Sequence, residues 1–192
     1  MPQSVPSKQQ LRRDLRARRR ALPAIQARAA AQALPALLRT LPDWPHLQHV
    51  AGYLAADAEL DPAPLLVDLH SAGKQIYLPI IQPDSSLLFA PWTPGEALQE
   101  NRYGIGEPAR RDTLRGAAEL DALLLPLVGW TREGRRLGMG GGFYDRSLAC
   151  AATVLKIGLG YSVQEVSLLP ADPWDIGLDY IATGEALLDC RV

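Results

Sequence analysis

The apolar run at residues 121–128, DALLLPLV, restricts the possible folds most, because it leads into a glycine-rich stretch and then a helix-like segment. An apolar run of this length predicts a strand covered on both faces, as in a parallel sheet. Further strands are predicted at 48–54, 75–81, 86–92 and 153–161, and helices at 62–70 and 143–152. Strands that alternate with helices predict an α/β fold, with a mainly parallel sheet flanked by helices on both faces and right-handed crossovers.

The remaining segments complete this expectation. Residues 8–22 predict a basic N-terminal helix, and the alanine-rich stretch 24–40 predicts a second helix that bends at Pro35. Residues 93–112 predict a long loop, and residues 174–190 a terminal strand and a short helix. A chain of 192 residues has the length of one ordinary domain, so we expect a single domain over 1–192.

Composition excludes several classes of protein. Hydrophobic residues make up 47% and charged residues 21%, which argues against intrinsic disorder. The sequence has no run of 18 apolar residues, so we expect no membrane-spanning helix. Cys150 and Cys190 are too few for a disulfide scaffold, and no Cys/His spacing indicates zinc. We therefore expect a cytoplasmic protein, with Cys150 as a small core residue.

Charge is distributed unevenly along the chain. Residues 1–30 carry a net charge of +7 and the remainder −8, which leaves three explanations for the N-terminus: an anion-binding helix, a nucleic-acid arm or an organellar targeting peptide. Nucleic acid is the less favoured partner because RNP-like aromatic motifs are absent. A solvated or phosphate-attracting face is the favoured interpretation of four arginines: Arg13, Arg18, Arg19 and Arg20.

Four glycines within residues 138–142 follow the Arg135–Arg136 pair and precede a helix start. Such a loop lets backbone N–H groups approach phosphates, which the arginines would also bind. The pattern matches neither a dinucleotide fingerprint nor a P-loop, because Phe143, Tyr144 and Asp145 stand where those motifs need other residues. A plain conformational turn is the alternative. Asp145 fits equally well as an acid that complements a helix dipole or as a Mg²⁺ anchor.

Several motifs together resemble the 5-formyltetrahydrofolate cyclo-ligase family. The sequence RLGMGGGFYDR at 136–146 follows LLLPLVGW, and the N-terminal helix carries K-x-x-x-R. The other motifs follow in the family's order: YLAADAELD at 53–61, YGIGEP at 103–108, GLGYSVQ at 158–164 and LPADPWDIGLDYIAT at 169–183. The resemblance implies a Mg²⁺-dependent ring closure in which ATP activates the formyl oxygen as a phosphate ester and the N10 nitrogen then closes the ring to 5,10-methenyltetrahydrofolate.

The resemblance also implies roles for individual residues. It makes Arg136 and Tyr144 catalytic, and Asp145 and Asp175 ligands of Mg²⁺. The implied ATP-binding residues are Lys8, Arg12, Arg136, Leu137, Gly138, Met139, Gly140, Gly141, Gly142, Phe143 and Tyr144. The implied folate-binding residues are Leu54, Glu59, Tyr103, Met139, Gly140, Gly141, Gly142 and Phe143.

Two other functions stay open at this point. A sugar-phosphate or CoA-handling enzyme on a related α/β scaffold would use the same glycine loop without hydrolysing ATP. A non-enzymatic nucleotide- or RNA-binding relative would use the basic N-terminus, with strongly salt-dependent binding.

Overall fold

The structure is a computed structural model and describes residues 6–101 and 104–191. The helices in these ranges are α1 (Lys8–Arg20), α2 (Ala24–Leu38), α3 (Ala63–Ser71) and α4 (Phe143–Leu148). The strands are β1 (His49–Ala51), β2 (Gln75–Ile81), β3 (Leu87–Pro91), β4 (Leu98–Glu100), β5 (Gly106–Pro108), β6 (Ala122–Pro126), β7 (Gly129–Trp130), β8 (Arg136–Leu137), β9 (Leu155–Leu159), β10 (Tyr180–Ala182) and β11 (Leu187–Asp189).

Seven strands form the central sheet, in the order β11-β10-β9-β6-β1-β2-β3. The four central pairings are parallel, and only the edge strands β3 and β11 pair in the antiparallel sense. Two small antiparallel hairpins, β4–β5 and β7–β8, complete the strands of the described ranges. The predicted α/β fold with a mainly parallel sheet is therefore confirmed.

Strand β6 shows why its sequence is apolar throughout. Ala122 and Leu124 belong to a core cluster under α2 and α3, whereas Leu123 and Leu125 belong to a second cluster under α4. Successive side chains of a strand point to opposite faces, so a strand covered by helices on both faces needs apolar residues at every position. The helices thus lie on both sides of the sheet, as predicted.

Helix α1 packs through a narrow apolar stripe. Leu11 and Leu15 are buried in a separate small cluster with Val128, Leu137 and Leu169, which lie after β6, in β8 and in the C-terminal part of the chain. Ser7 begins the helix by accepting a hydrogen bond from the Gln10 backbone N–H at 3.2 Å. This packing fixes the predicted basic helix beside the glycine-rich loop.

Some predicted elements were wrong in extent or type. The segment predicted as a loop at 93–112 contains the β4–β5 hairpin, whose strands are too short and too polar to show an apolar pattern. The segment 174–190 holds two antiparallel strands and, among its described residues, no helix, because Gly184 turns the chain with φ 85° between β10 and β11. Strand β1 is only three residues long, and α2, which contains Pro35, ends at Leu38 and not at residue 40.

Helix α4 ends at Leu148 instead of reaching residue 152, because Ala151 and Val154 turn into the core below the sheet. Cys150 is consequently exposed, so its prediction as a core residue was wrong. Across residues 6–101 and 104–191, no helix has both the length and the apolar character that crossing a bilayer requires.

Candidate functional site

A cavity of about 1080 Å³ opens at the carboxyl ends of β1 and β6. Its walls come from the segment after β1, from β2 and the β4–β5 hairpin, from the glycine-rich loop with α4, and from residues 172–176. Parallel sheets place ligands beyond the carboxyl ends of their strands, because the connecting loops meet there. The cavity is therefore the candidate functional site.

The glycine-rich loop runs from β8 to α4 along one wall of the cavity. Gly140 has φ 101°, a backbone conformation that residues other than glycine rarely adopt. A Cβ atom added at Gly140 would lie only 3.2 Å from Cζ of the Arg12 guanidinium. Arg12 also donates a hydrogen bond from Nε to the Gly138 carbonyl oxygen at 2.8 Å. Helix α1 and the glycine loop are thus joined directly at the cavity.

Two cationic side chains in the cavity are paired with carboxylates. Arg136 donates to Asp145 Oδ1 at 2.5 Å and also to the Ile176 carbonyl oxygen. Lys8 Nζ lies 2.7 Å from Asp172 Oδ2 and 2.6 Å from Asp175 Oδ2. Both cations are therefore held in place by carboxylates that also line the cavity.

The Lys8 cluster also shifts the pKa values of its members. Burial alone would raise the pKa of Asp175, but hydrogen bonds from the Asp172 backbone N–H and from Lys8 lower it below its ordinary value. Burial alone would lower the pKa of Lys8, but its hydrogen bonds to Asp172 and Asp175 outweigh this effect and raise the pKa above its ordinary value. Both groups are consequently charged at neutral pH.

Glu59 belongs to the part of the cavity wall that the segment after β1 contributes. Burial raises the pKa of its carboxyl group, against the opposing effects of the Ala56 backbone N–H at 3.1 Å and of the Arg19 guanidinium. Tyr144 is near enough that its own pKa, raised mainly by burial, is raised further by the charge of Glu59. Leu54 completes this wall, so a carboxylate and a phenol face a partly apolar space.

The predicted site residues lie together. Those that line the cavity are Lys8, Arg12, Leu54, Glu59, Arg136, Leu137, Gly138, Met139, Gly140, Gly141, Gly142, Phe143, Tyr144, Asp145 and Asp175. Tyr103 falls outside the described residues. Arg135 is exposed and is not part of the lining. Their common location leaves the individual roles as predictions.

Sequence reasoning misjudged Arg19 and overlooked Asp57. Arg19 was predicted on a solvated or phosphate-attracting face, but it is fully buried and pairs with Asp57 at 2.8 Å, as does Arg16 at 2.7 Å. Arg20 also pairs with Asp57. Arg16 and Arg19 thus bind a carboxylate of the protein, whereas Arg20 also keeps 56% of its side chain exposed, as predicted. Nothing in the local sequence marks the contact, because helix and loop lie far apart along the chain.

Two further acids of the cavity were also overlooked. Asp172 shares Lys8 with Asp175. Glu107 is buried and accepts hydrogen bonds from the Ile81 backbone N–H at 3.1 Å and from Arg111 at 2.9 Å. Glu107 lies within the YGIGEP motif, and its carboxylate supports the β4–β5 hairpin by also accepting a hydrogen bond from Asn101 at 2.8 Å.

The described residues contain no group of three or more His, Cys, Asp or Glu side chains arranged to hold a metal ion. Asp145 and Asp175 are the predicted metal ligands, and each is hydrogen-bonded to a cation. Mg²⁺ commonly binds proteins through one or two carboxylates and completes its octahedron with water and substrate phosphates. These two residues fit that mode and do not form a site made of protein ligands alone.

The family model described as the 5-formyltetrahydrofolate cyclo-ligase family matches residues 4–184. The chain belongs to this family. The predicted resemblance is thereby confirmed, and so is the prediction of an enzyme, a ligase in folate metabolism. The alternative of a sugar-phosphate or CoA enzyme loses its support.

Similar proteins span nearly the whole chain. The 5-formyltetrahydrofolate cyclo-ligase of Escherichia coli is 40% identical over 175 residues, which are 88% of this chain and 96% of that protein. That of Haemophilus influenzae is 35% identical over 182 residues, covering 92% and 97%. The solved structure of Aquifex aeolicus 5,10-methenyltetrahydrofolate synthetase has a TM-score of 0.84 at 29% identity, covering 96% of this chain and 93% of that one.

Proposed function

We propose that this enzyme converts 5-formyltetrahydrofolate to 5,10-methenyltetrahydrofolate with ATP and Mg²⁺, releasing ADP and phosphate. The formyl oxygen attacks the γ-phosphorus and ADP leaves, which yields an iminium phosphate. The N10 nitrogen then bonds to the formyl carbon, and phosphate leaves with the former formyl oxygen and takes up the proton that N10 loses. The observation that supports the proposal most directly is that one cavity of about 1080 Å³ is lined both by the cations Lys8, Arg12 and Arg136 and by the Glu59 carboxylate, whose side chain is only 11% exposed. A cytoplasmic location stays a prediction.

Lys8, Arg12 and Arg136 form the phosphate-binding side in this proposal. Phosphoryl transfer needs positioning and neutralisation of charge more than it needs a protein nucleophile. Arg136 is nearly excluded from solvent, with 7% of its side chain exposed, so its charge acts in a medium of low dielectric. Its planar donors suit the oxygens of the transferred phosphoryl group.

Asp145 and Asp175 are the proposed contacts for Mg²⁺. When bound, the ion would neutralise negative charge on the phosphates. Phosphate oxygens would give Lys8 and Arg136 new anionic partners, which would leave the two carboxylates free to hold the ion. Each group would then exchange one opposite charge for another, and none would be left unpaired.

Glu59, Leu54 and Tyr144 form the proposed folate-binding side. An ionised carboxylate accepts hydrogen bonds from the amino group and ring N–H of a pterin, while Leu54 contacts its apolar face. Burial raises the pKa of Tyr144, so this phenol keeps its proton and acts as a hydrogen-bond donor toward the formyl or phosphoryl oxygen. Met139 and Phe143, with Gly140–Gly142, separate the two substrates. Tyr103 stays a proposed contact of the folate ring system on the strength of its motif alone.

The test is a spectrophotometric assay of the purified protein with 5-formyltetrahydrofolate and Mg²⁺, with and without ATP. We expect the methenyl absorbance to rise only with ATP, and one ADP to form for each methenyl product. Reactions without folate report any uncoupled ATP hydrolysis. Product that forms without ATP, or ADP that forms without folate at the same rate, would contradict the proposal.

A further inference from the structure

The second half of α1 holds the loop after β1 through a single carboxylate. Asp57 Oδ2 accepts hydrogen bonds from Arg16 at 2.7 Å and from Arg19 at 2.8 Å, while Arg20 binds Oδ1. Burial alone would raise the pKa of Asp57, but the arginines lower it below the ordinary value. Both carboxylate oxygens are thus occupied by the protein's own cations, although Asp57 lies in the cavity wall.

The held loop has an unusual backbone. Asp57 and Ala58 have φ values of 50° and 59°, and two consecutive non-glycine residues in the left-handed region cost free energy that other contacts must offset. The turn that they form places Glu59 N–H 2.9 Å from the Ala56 carbonyl oxygen and Glu59 Oε2 3.1 Å from the Ala56 N–H. Whatever fixes Asp57 therefore also fixes the direction of the Glu59 side chain.

Arg19 reaches furthest into this network. Its side chain is fully buried and lies outside the cavity lining. Besides Asp57, it donates to the Leu127 carbonyl oxygen at 3.1 Å and lies 3.8 Å from Glu59 Oε1. It thus joins α1 to the chain at the carboxyl ends of both β1 and β6. Its charge opposes the effect of burial on the pKa of Glu59.

We propose that Arg19, held by Asp57, is a positioning residue for the folate side of the cavity: it fixes and orients the Glu59 carboxylate without touching either substrate. This inference rests on the proposed function, because it assigns Glu59 to the folate. The other end of the same helix carries Lys8 and Arg12, and Leu11 and Leu15 pack this end independently of Asp57. Loss of the Asp57 contact is therefore expected to weaken folate binding and to spare nucleotide binding.

The test compares Asp57→Asn with Asp68→Asn. Both aspartate side chains are 19% exposed and each binds arginine from another segment, but Asp68 pairs with Arg39 outside the cavity. Affinities for 5-formyltetrahydrofolate and for Mg·ATP are measured separately by titration calorimetry, next to the KM values and the melting temperature. For Asp57→Asn we expect a folate Kd about tenfold higher and an ATP Kd within twofold of the unsubstituted protein. For Asp68→Asn we expect both Kd values within twofold.

Two substitutions of the arginines refine the test. Arg19→Lys keeps the charge, but an ammonium group cannot donate to Asp57 and to the Leu127 carbonyl at the same time as the planar guanidinium does. We therefore expect a folate Kd between those of the unsubstituted protein and of Asp57→Asn. Arg20→Gln removes only an exposed contact and is expected to leave both affinities unchanged. If Asp57→Asn does not fold, the ratio of the two Kd values in Arg19→Lys decides instead.

The possible outcomes separate this inference from the proposed function. A folate Kd unchanged in Asp57→Asn, or folate and ATP affinities that fall together with the melting temperature, would overturn the inference. In that case an active unsubstituted enzyme still supports the proposed function. An unsubstituted protein that neither binds folate nor forms product would overturn both.

Discussion

Replacing Arg136 with alanine tests the phosphate side of the proposed site most directly. The side chain is 7% exposed, contacts only Asp145 and the Ile176 carbonyl among the hydrogen bonds of the described residues, and lines the cavity. Arg135 provides a matched control, since it carries the same charge one residue earlier but is exposed and outside the lining. Both alanine variants lose one positive charge, so a difference in activity between them reflects the position of the arginine and not the net charge.

The expected magnitude follows from these two environments. Removing one positioned donor from a site shielded from water costs about 2–4 kcal/mol of transition-state stabilisation. At about 1.4 kcal/mol for each factor of ten, kcat/KM for ATP falls about 30- to 900-fold in Arg136→Ala. An exposed charge acting from about 10 Å through water contributes about 0.4 kcal/mol before screening by salt, so Arg135→Ala changes the rate at most about twofold.

The assay follows methenyl product at saturating folate while ATP is varied, so that kcat and KM separate. We expect Arg136→Ala to lower kcat, because its positioned donors stabilise the charge that is spread over the phosphoryl oxygens in the transition state. A raised KM for ATP with unchanged kcat would mean that Arg136 contributes to binding alone. Equal losses in the Arg135 and Arg136 variants would refute the argument from position altogether.

Three further predictions concern other parts of the molecule. Asp145→Ala is expected to lower kcat at least about 100-fold, and near-normal turnover at low Mg²⁺ would contradict its assignment to the metal. Because burial raises the pKa of Glu59, its ionised form costs folding free energy above the ordinary pKa of 4.5. Glu59→Gln is therefore expected to gain stability over the unsubstituted protein as pH rises from 4 to 7, while its folate KM rises; a pH-independent difference in urea unfolding would contradict this. In Gly184→Ala, the backbone at position 184 has φ 85° and the new Cβ would lie 2.5 Å from Ala30 Cα. The free energy of unfolding in urea is therefore expected to fall by about 2–5 kcal/mol. Gly73→Ala, with φ 81° and no described atom within 4 Å of its Cβ, is expected to lose only about 1–2 kcal/mol, and equal losses would exclude the clash.

Local patterns predicted the parts of the fold whose cause is local. The apolar run of β6 marked a strand with two covered faces, and both faces are covered, by α2 and α3 on one side and α4 on the other. The β4–β5 hairpin was missed because Leu98–Glu100 and Gly106–Pro108 are mostly polar or turn-forming residues, stabilised by contact with the rest of the cavity wall. Hydrophobic periodicity and strand propensity depend on the local sequence, so they do not predict such long-range contacts.

In the candidate site, the glycine-rich loop could be predicted from the sequence, whereas the ion pair of Arg19 with Asp57 could not. The glycine loop is a continuous segment, so its backbone freedom and its neighbouring Arg136 could be recognised from the sequence. The bond from Arg19 to Asp57 joins residues 38 positions apart. It depends on how α1 crosses the end of the sheet. From the sequence, Arg19 is one of a run of arginines, and only packing distinguishes the buried member from its exposed neighbours.

Burial also distinguishes the ion pairs at the two ends of α1 by how readily they can exchange partners. Lys8 is 21% exposed and its partners Asp172 and Asp175 are 43% and 26% exposed, so water can replace either contact at small cost when phosphate arrives. Arg19 is fully buried, and separating it from Asp57 would leave an uncompensated charge inside the protein, which costs several kcal/mol. The same helix therefore carries an exchangeable cation near its start and a permanent one near its end. In the proposed reaction the exchangeable cation binds the phosphate that leaves in each turnover, while the permanent one keeps Glu59 in place for the folate.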